Sequence, residues 1–214
     1  MTNSRYTVAD VMTTTVVTVT PDAGFKEIVA AMTQWQVAAV PVIEGEGRVV
    51  GVISEADLLA KEEFHRHRPG MIEQMRRLDD TAKAGSTHAR ELMTAPAVTV
   101  HADATLPQAA RLMAGRRVKR LPVVDNRDVL KGIVSRADLL KVFLRSDDDL
   151  ASEVRREVVD RLFPVSHHGV RVDVEDGVVT LSGTIRDSSL IPVAERLAHT
   201  VEGVVAVNCA LTGP

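Results

Sequence analysis

Gly51-Val52-Ile53-Ser54-Glu55-Ala56-Asp57-Leu58-Leu59 and Gly132-Ile133-Val134-Ser135-Arg136-Ala137-Asp138-Leu139-Leu140 are two versions of one phrase, set 81 residues apart. The offset holds upstream as well: residues 8 to 60 align with 89 to 141 without a gap. Met12-Thr13 returns as Met93-Thr94, Val17-Thr18-Val19 as Val98-Thr99-Val100, and Pro41-Val42 as Pro122-Val123. Two copies fall short of the three or more that a stacked solenoid takes, so the duplication predicts a pair that closes into one pseudo-symmetric domain.

Each copy reads as strand, helix, two strands and helix. Val16 to Val19 and Ala97 to Val100 are short apolar, Thr-rich runs suited to strands. In the second copy Thr105 can cap a helix, Pro107 sits in its tolerant first turn and Gln108 closes a capping box; the first copy substitutes Gly24 and Glu27. Ile28, Ala31 and Met32, and again Ala109, Leu112 and Met113, recur at helical spacing, which makes the methionines core residues. Trp35, at the end of the first stripe, reads as core rather than as a stacking platform. Val40 to Ile43 and Val49 to Ile53 flank a Glu-Gly-Glu-Gly turn, as Leu121 to Val124 and Val129 to Val134 flank Asp125 to Asp128, giving one hairpin per copy. The closing helices start after Ser54 and Ser135.

The composition is that of a chain with a real core: 214 residues, 45% hydrophobic and 26% charged. No apolar run approaches the roughly 18 to 20 residues of a membrane-spanning helix, and Met1 to Thr7 carries no secretory pattern, so a cytoplasmic location is expected. The lone Cys209 excludes an internal disulfide and a cysteine-based zinc site. A net charge of −3 and 3% aromatic residues disfavour nucleic acid as the main partner. No Walker-type loop, Gly-x-Ser-x-Gly elbow or His-Glu-x-x-His helix occurs, so no catalytic residues and no required cofactor are assigned.

The repeated elements resemble a tandem pair of CBS domains, the module named after cystathionine β-synthase. The residues carrying the resemblance are Val17-Thr18 and Val98-Thr99, Val40-Pro41-Val42 and Leu121-Pro122-Val123, and the two Gly-x-x-Ser-x-x-Asp-Leu-Leu endings. The resemblance implies an α/β (α+β) fold with a small sheet and helices in each repeat. It also implies adenosine-containing ligands (AMP, ADP, ATP, S-adenosylmethionine or NAD) in clefts between the repeats, a regulatory rather than catalytic role such as energy sensing, and a homodimer formed through the helices. Carried over by residue, Asp57 and Asp138 would hydrogen-bond ribose hydroxyls, with Ser54 and Ser135 near the phosphate and Thr18, Pro41, Val98, Thr99 and Pro122 at the site.

The chemistry agrees, since a carboxylate accepts from vicinal hydroxyls and a serine at a helix start sits among free N–H groups. A Ser-x-x-Asp entering a helix is equally a capping arrangement. The copies differ in charge: Arg116-Arg117-Val118-Lys119-Arg120 and Arg136 stand where the first copy has Trp35-Gln36-Val37-Ala38-Ala39 and Glu55. Arginine offers phosphate bidentate geometry, which places a phosphorylated ligand mainly in the second site, on Arg120 and Arg136; the alternative is a solvated helix end. The first site is left with a nucleoside-like ligand or none. Between the copies, His65 and His67 suggest a metal pair, but alternation with Arg favours a solvated basic loop, so no metal site is assigned.

These readings give repeat boundaries of 1–61 and 89–146, a linker over 62–88 with a short helix around Met71 to Leu78, and a separate piece over 147–214. That last piece reads as a helix from Leu150 to Phe163 with Val154, Val158 and Leu162 on one face, strands over 170–174 and 178–181 about a Glu175-Asp176-Gly177 turn, a helix over 188–200, and a strand over 204–210. Cys209, alternating with Val205 and Val207, is placed on a buried strand face. His167-His168 is placed in a solvated loop. The αββαβ order resembles the BON domain, on Val172-Asp173-Val174, the run from Asp176 to Thr184, Ala194-Glu195 and Val201 to Val204. BON domains are associated with phospholipid or with a partner protein. This piece has six Arg and no Lys against twelve Asp and Glu, a net −6 that anionic lipid repels. A protein partner or self-association is therefore favoured over membrane. The resulting expectation is a non-catalytic sensor of an adenine nucleotide that relays through the BON-like piece. The alternatives are a dimerisation scaffold with empty clefts and a membrane-associated adaptor.

Overall fold

The computed structural model describes residues 6–59, 87–164 and 169–213. The expectations for His65, His67, the 71–78 helix and His167-His168 lie outside these residues. The chain divides into two compact units, Thr7–Arg136 and a second made of Tyr6 with Ala137–Pro214.

In the first unit the hairpins form as the sequence predicts. Strands β1 (Ala39–Glu44) and β2 (Arg48–Ser54) pair antiparallel, with Val40 opposite Ile53. The second copy repeats this with β4 (Arg120–Val124) and β5 (Leu130–Ser135), to which β3 (Val100–His101) adds in parallel. The Phe25–Gln34 and Leu106–Arg116 helices bury Ile28 and Met32, and Ala109 and Met113. Thr105 caps as predicted: its Oγ1 accepts from Gln108 N at 3.3 Å and its N–H donates to Gln108 Oε1 at 2.8 Å. Trp35 is not core. It falls at the helix C-cap, beyond the last stripe residue Met32, and is 59% exposed.

The predicted first strands are nearly absent, for a backbone reason. In copy one only Val19 bridges, donating to Pro41 O at 3.1 Å and accepting from Ile43 N at 3.0 Å. A strand residue's N–H and C=O point to the same side, so Pro41 turns toward this segment the edge at which it has no N–H, and pairing stops there. Pro122 holds the same place in β4. Residues 97 and 98 are thereby left outside the ladder.

The copies are closed by exchange. The Val8–Val11 helix of copy one docks on copy two, Val8 N donating to Ala104 O (2.8 Å) and Ala9 N to Ala102 O (2.9 Å). The Ala89–Leu92 helix of copy two docks on copy one, Ala89 N donating to Ala23 O (2.9 Å), and its Ala89 and Leu92 join copy one's core with Ile28 and Ile53. Thr13 bridges Ile133, and Thr94 bridges Val52. This crossing explains the glycine that opens each repeated ending. A Cβ on Gly51 would lie 2.8 Å from Met93 Cγ, and one on Gly132 would lie 2.9 Å from Thr13 O, both groups supplied by the other copy.

In the second unit, helices Asp147–Val154 and Asp160–Leu162 run on through a π turn at Arg155–Val159. Val154, Val158 and Leu162 all pack on the core as the spacing predicts, and the wider turn adds Val159 and Phe163 to the buried face. Strands β6 (Val170–Glu175), β7 (Val178–Thr184) and β8 (Ala206–Thr212) form one sheet, β6 antiparallel and β8 parallel to β7. The turn between β6 and β7 uses Asp176 and Gly177 at φ 49° and 73°, and Asp147 accepts both their N–H groups at 2.9 Å, tying the first helix to the hairpin. The predicted second helix begins as a 3-10 turn, Ser188–Leu190, and continues as Ile191–Ala198. Val207, Cys209 and Leu211 face the core; Val205 precedes the strand and is 59% exposed, contrary to its predicted alternation.

Candidate functional site

A cavity of about 330 Å³ opens between the two copies in the first unit. One wall is the end of β2 and the helical turn after it, residues 55–59, which present Ser54, Glu55 and Asp57. Asp57 Oδ2 accepts from Ser54 N at 2.9 Å and from Ser54 Oγ at 2.7 Å, while Oδ1 accepts from Thr94 Oγ1 of the other copy at 3.3 Å. The capping geometry is therefore real, and it fixes the carboxylate at the cavity wall. The floor is apolar: Ala38, Ala39, Ala97 and Val98, the last two being the segment kept out of the ladder by proline.

Cations share the lining. Arg117, Lys119 and Arg120 belong to it, from the run that connects the Leu106–Arg116 helix to β4. Arg117 closes that helix in the left-handed conformation, φ 56°, as Gln36 does in copy one at φ 52°. Arg136 does not line the cavity; its Nη2 donates to the O of the lining residue Val118 at 3.1 Å. A pocket bounded by a diol-accepting carboxylate, small apolar side chains and three cations can take a sugar hydroxyl pair, a flat apolar group and an anion together.

The grouping differs from the sequence expectation. Of the residues singled out there, Ser54, Asp57, Val98 and Arg120 meet in this cavity. Arg120, whose ladder partner is Ser135, lines the same cavity as Asp57, because exchange brings the second copy's basic run together with the first copy's ending. Ser135, Arg136, Asp138, Thr18, Thr99, Pro41 and Pro122 are not among its lining residues. The two prolines are buried inside β1 and β4, and Thr18 and Thr99 are half-buried beside them. Asp138, 14% exposed, pairs through Oδ1 with Lys141 Nζ at 2.6 Å. Arg117, Lys119 and Thr94 were missed. The first two stood in the quoted basic run, but Thr94 has no sequence signal because its partner is Asp57 of the other copy. Among the described residues no group of three or more His, Cys, Asp or Glu could hold a metal ion, and no helix is long and apolar enough to cross a membrane.

The CBS-domain family model matches residues 8–63 and 89–145. The chain belongs to the CBS-domain proteins. A BON-domain model matches residues 146–213, so a C-terminal BON domain follows the CBS pair. The CBS pair is similar to CBSX2 of Arabidopsis thaliana, whose crystal structure in complex with AMP is 30% identical, has a TM-score of 0.57 and covers 65% of this chain and 97% of that one. The CBS domain-containing protein YhcV of Bacillus subtilis is 31% identical over 132 residues, 62% of this chain and 81% of its own length. Inosine-5'-monophosphate dehydrogenase of Methanocaldococcus jannaschii is 31% identical over 126 residues, but the chain spans only 21% of that enzyme, its CBS region.

Proposed function

We propose that the CBS pair binds an adenine nucleotide of the AMP class in the cavity between Asp57 and Arg120, and that the protein is a regulator rather than a catalyst. The observation that carries this reading is the shared cavity itself, which joins the carboxylate of one repeat to the cations of the other. The likeness to CBSX2, solved with AMP, supports the ligand class. In this reading Asp57 accepts from the ribose hydroxyls, Ser54 lies near the phosphate, Arg120 with Arg117 and Lys119 holds the phosphate, and the alanine floor takes the base. The BON domain, with its net charge of −6, relays the bound state to a protein partner rather than to anionic lipid. The chain works as a homodimer; light scattering at micromolar concentration would refute that by returning the mass of one chain.

Thermal unfolding with AMP, ATP, S-adenosylmethionine and NAD at millimolar concentration tests the ligand class. A ligand at 100 times its Kd adds about 2.7 kcal/mol to the native state, a visible rise in Tm. The Ser54–Asp57 capping bonds favour one second reading, a dimerisation scaffold in which these residues only end a strand and start a helix. Failure of all four compounds to raise Tm would select the scaffold.

A further inference from the structure

Arg145 is a buried cation in the second unit, and every group around it belongs to a different stretch of chain. Its side chain is 10% exposed and that of its partner Glu153 is 9% exposed, with Nη2 and Oε2 2.7 Å apart. Its Nη1 donates to Glu202 O at 2.6 Å, and its guanidinium carbon lies 5.1 Å from the centre of the Tyr6 ring. The Tyr6 N–H donates in turn to Glu202 Oε2 at 2.9 Å. Gly203, at φ 96°, completes the fit: a Cβ there would lie 2.7 Å from Val142 O and 3.3 Å from Arg145 Cδ, so the 202–203 turn presses directly on the 141–145 connector.

The chain passes between the two units twice, from Tyr6 to Thr7 and from Arg136 to Ala137. Both passages end on this guanidinium. The planar fork of arginine can satisfy a carboxylate and a carbonyl at once while stacking on a ring, a combination a lysine ammonium cannot reproduce. We propose that Arg145 is a positioning residue that clamps both passages onto the BON domain, so that a ligand-dependent change in the CBS pair enters the BON domain through it. The ligand-dependent half rests on the nucleotide reading above; the clamp does not.

Hydrogen exchange on the full chain, with and without millimolar AMP, compares the wild type with Arg145→Gln. Without ligand, the clamp predicts that Arg145→Gln raises exchange at least tenfold at the Tyr6 amide and across the 141–145 connector together, with the β6 and β7 amides unchanged. Loosening of only one passage, or of neither, overturns the clamp. With AMP, the wild type should change protection in residues 141–145 and 202–204, and Arg145→Gln should lose that change while its AMP affinity stays within twofold. A wild type that binds AMP without changing those segments, or a variant that keeps the change in full, overturns the relay. A wild type that does not bind AMP overturns the nucleotide reading and leaves the ligand-free comparison to decide the clamp. If Arg145→Gln does not fold, Tyr6→Ala keeps the buried ion pair, and loosening confined to the Tyr6 passage supports the clamp; no loosening refutes it.

Discussion

The Asp57 and Asp138 carboxylates occupy equivalent places in the repeat, but only Asp57 lines the cavity, and this inequality gives a quantitative test. Asp57→Asn keeps the size of the side chain and one carbonyl acceptor for the Ser54 cap, but it places an amide donor where the second ribose hydroxyl would donate. Hydrogen bonds to a charged group contribute about 1.5–3 kcal/mol each, so losing one bond and the charge should cost about 2–3 kcal/mol, or about 30- to 150-fold in Kd. The weakened cap costs the free protein about 1 kcal/mol, a fall in Tm of about 2–4 °C. Asp138→Asn, which weakens the ion pair with Lys141 but leaves every residue lining the cavity in place, should leave Kd within about twofold. Titration calorimetry with AMP at one salt concentration, alongside the unfolding midpoint of each free variant, separates affinity from stability. The same Kd for Asp57→Asn and wild type would refute the assignment, and loss confined to Asp138→Asn would move the ligand to the other copy.

Arg120→Ala should weaken AMP about 10- to 100-fold but leave adenosine nearly unaffected, because only the phosphate uses the cation; calorimetry with both ligands checks this. Gly51→Ala drives a methyl into Met93 of the other copy and should destabilise by about 1–3 kcal/mol, read as a lower midpoint in urea with an unchanged slope. Asp125 is held down to about 2 by the N–H of Arg127, by Lys131 at 3.0 Å and by the N–H of Val129. Its native form binds fewer protons than its unfolded form, so its contribution is present above about pH 4 and lost as pH falls toward 2. The gap in urea midpoint between wild type and Asp125→Asn should therefore narrow across that window.

The sequence exposes whatever repeats at short range. Both hairpins, the Thr105 capping box and the buried methionines follow from local spacing, and the Asp176-Gly177 turn from its dipeptide. Contacts between copies leave no such trace. That Arg120 and Asp57 line one cavity depends on which segment crosses over, and Thr94 reaches Asp57 only because residue 94 bridges residue 52. Pro41 and Pro122 signal shortened first strands, but the edge of the strand that each proline faces leaves no mark in the sequence. The π turn that adds Val159 and Phe163 to the buried face likewise answers to packing in the second unit rather than to helical period.

Residue 13 bridges residue 133 and residue 7 bridges residue 105, so contacts of the CBS pair close over most of its length. Contacts of such long sequence separation carry a large closure entropy and slow folding. Both copies line the cavity, so if the nucleotide reading holds, a chain lacking either copy would be blind to nucleotide. In that reading, ligand binding reports on completeness as well as concentration: only a finished molecule can answer.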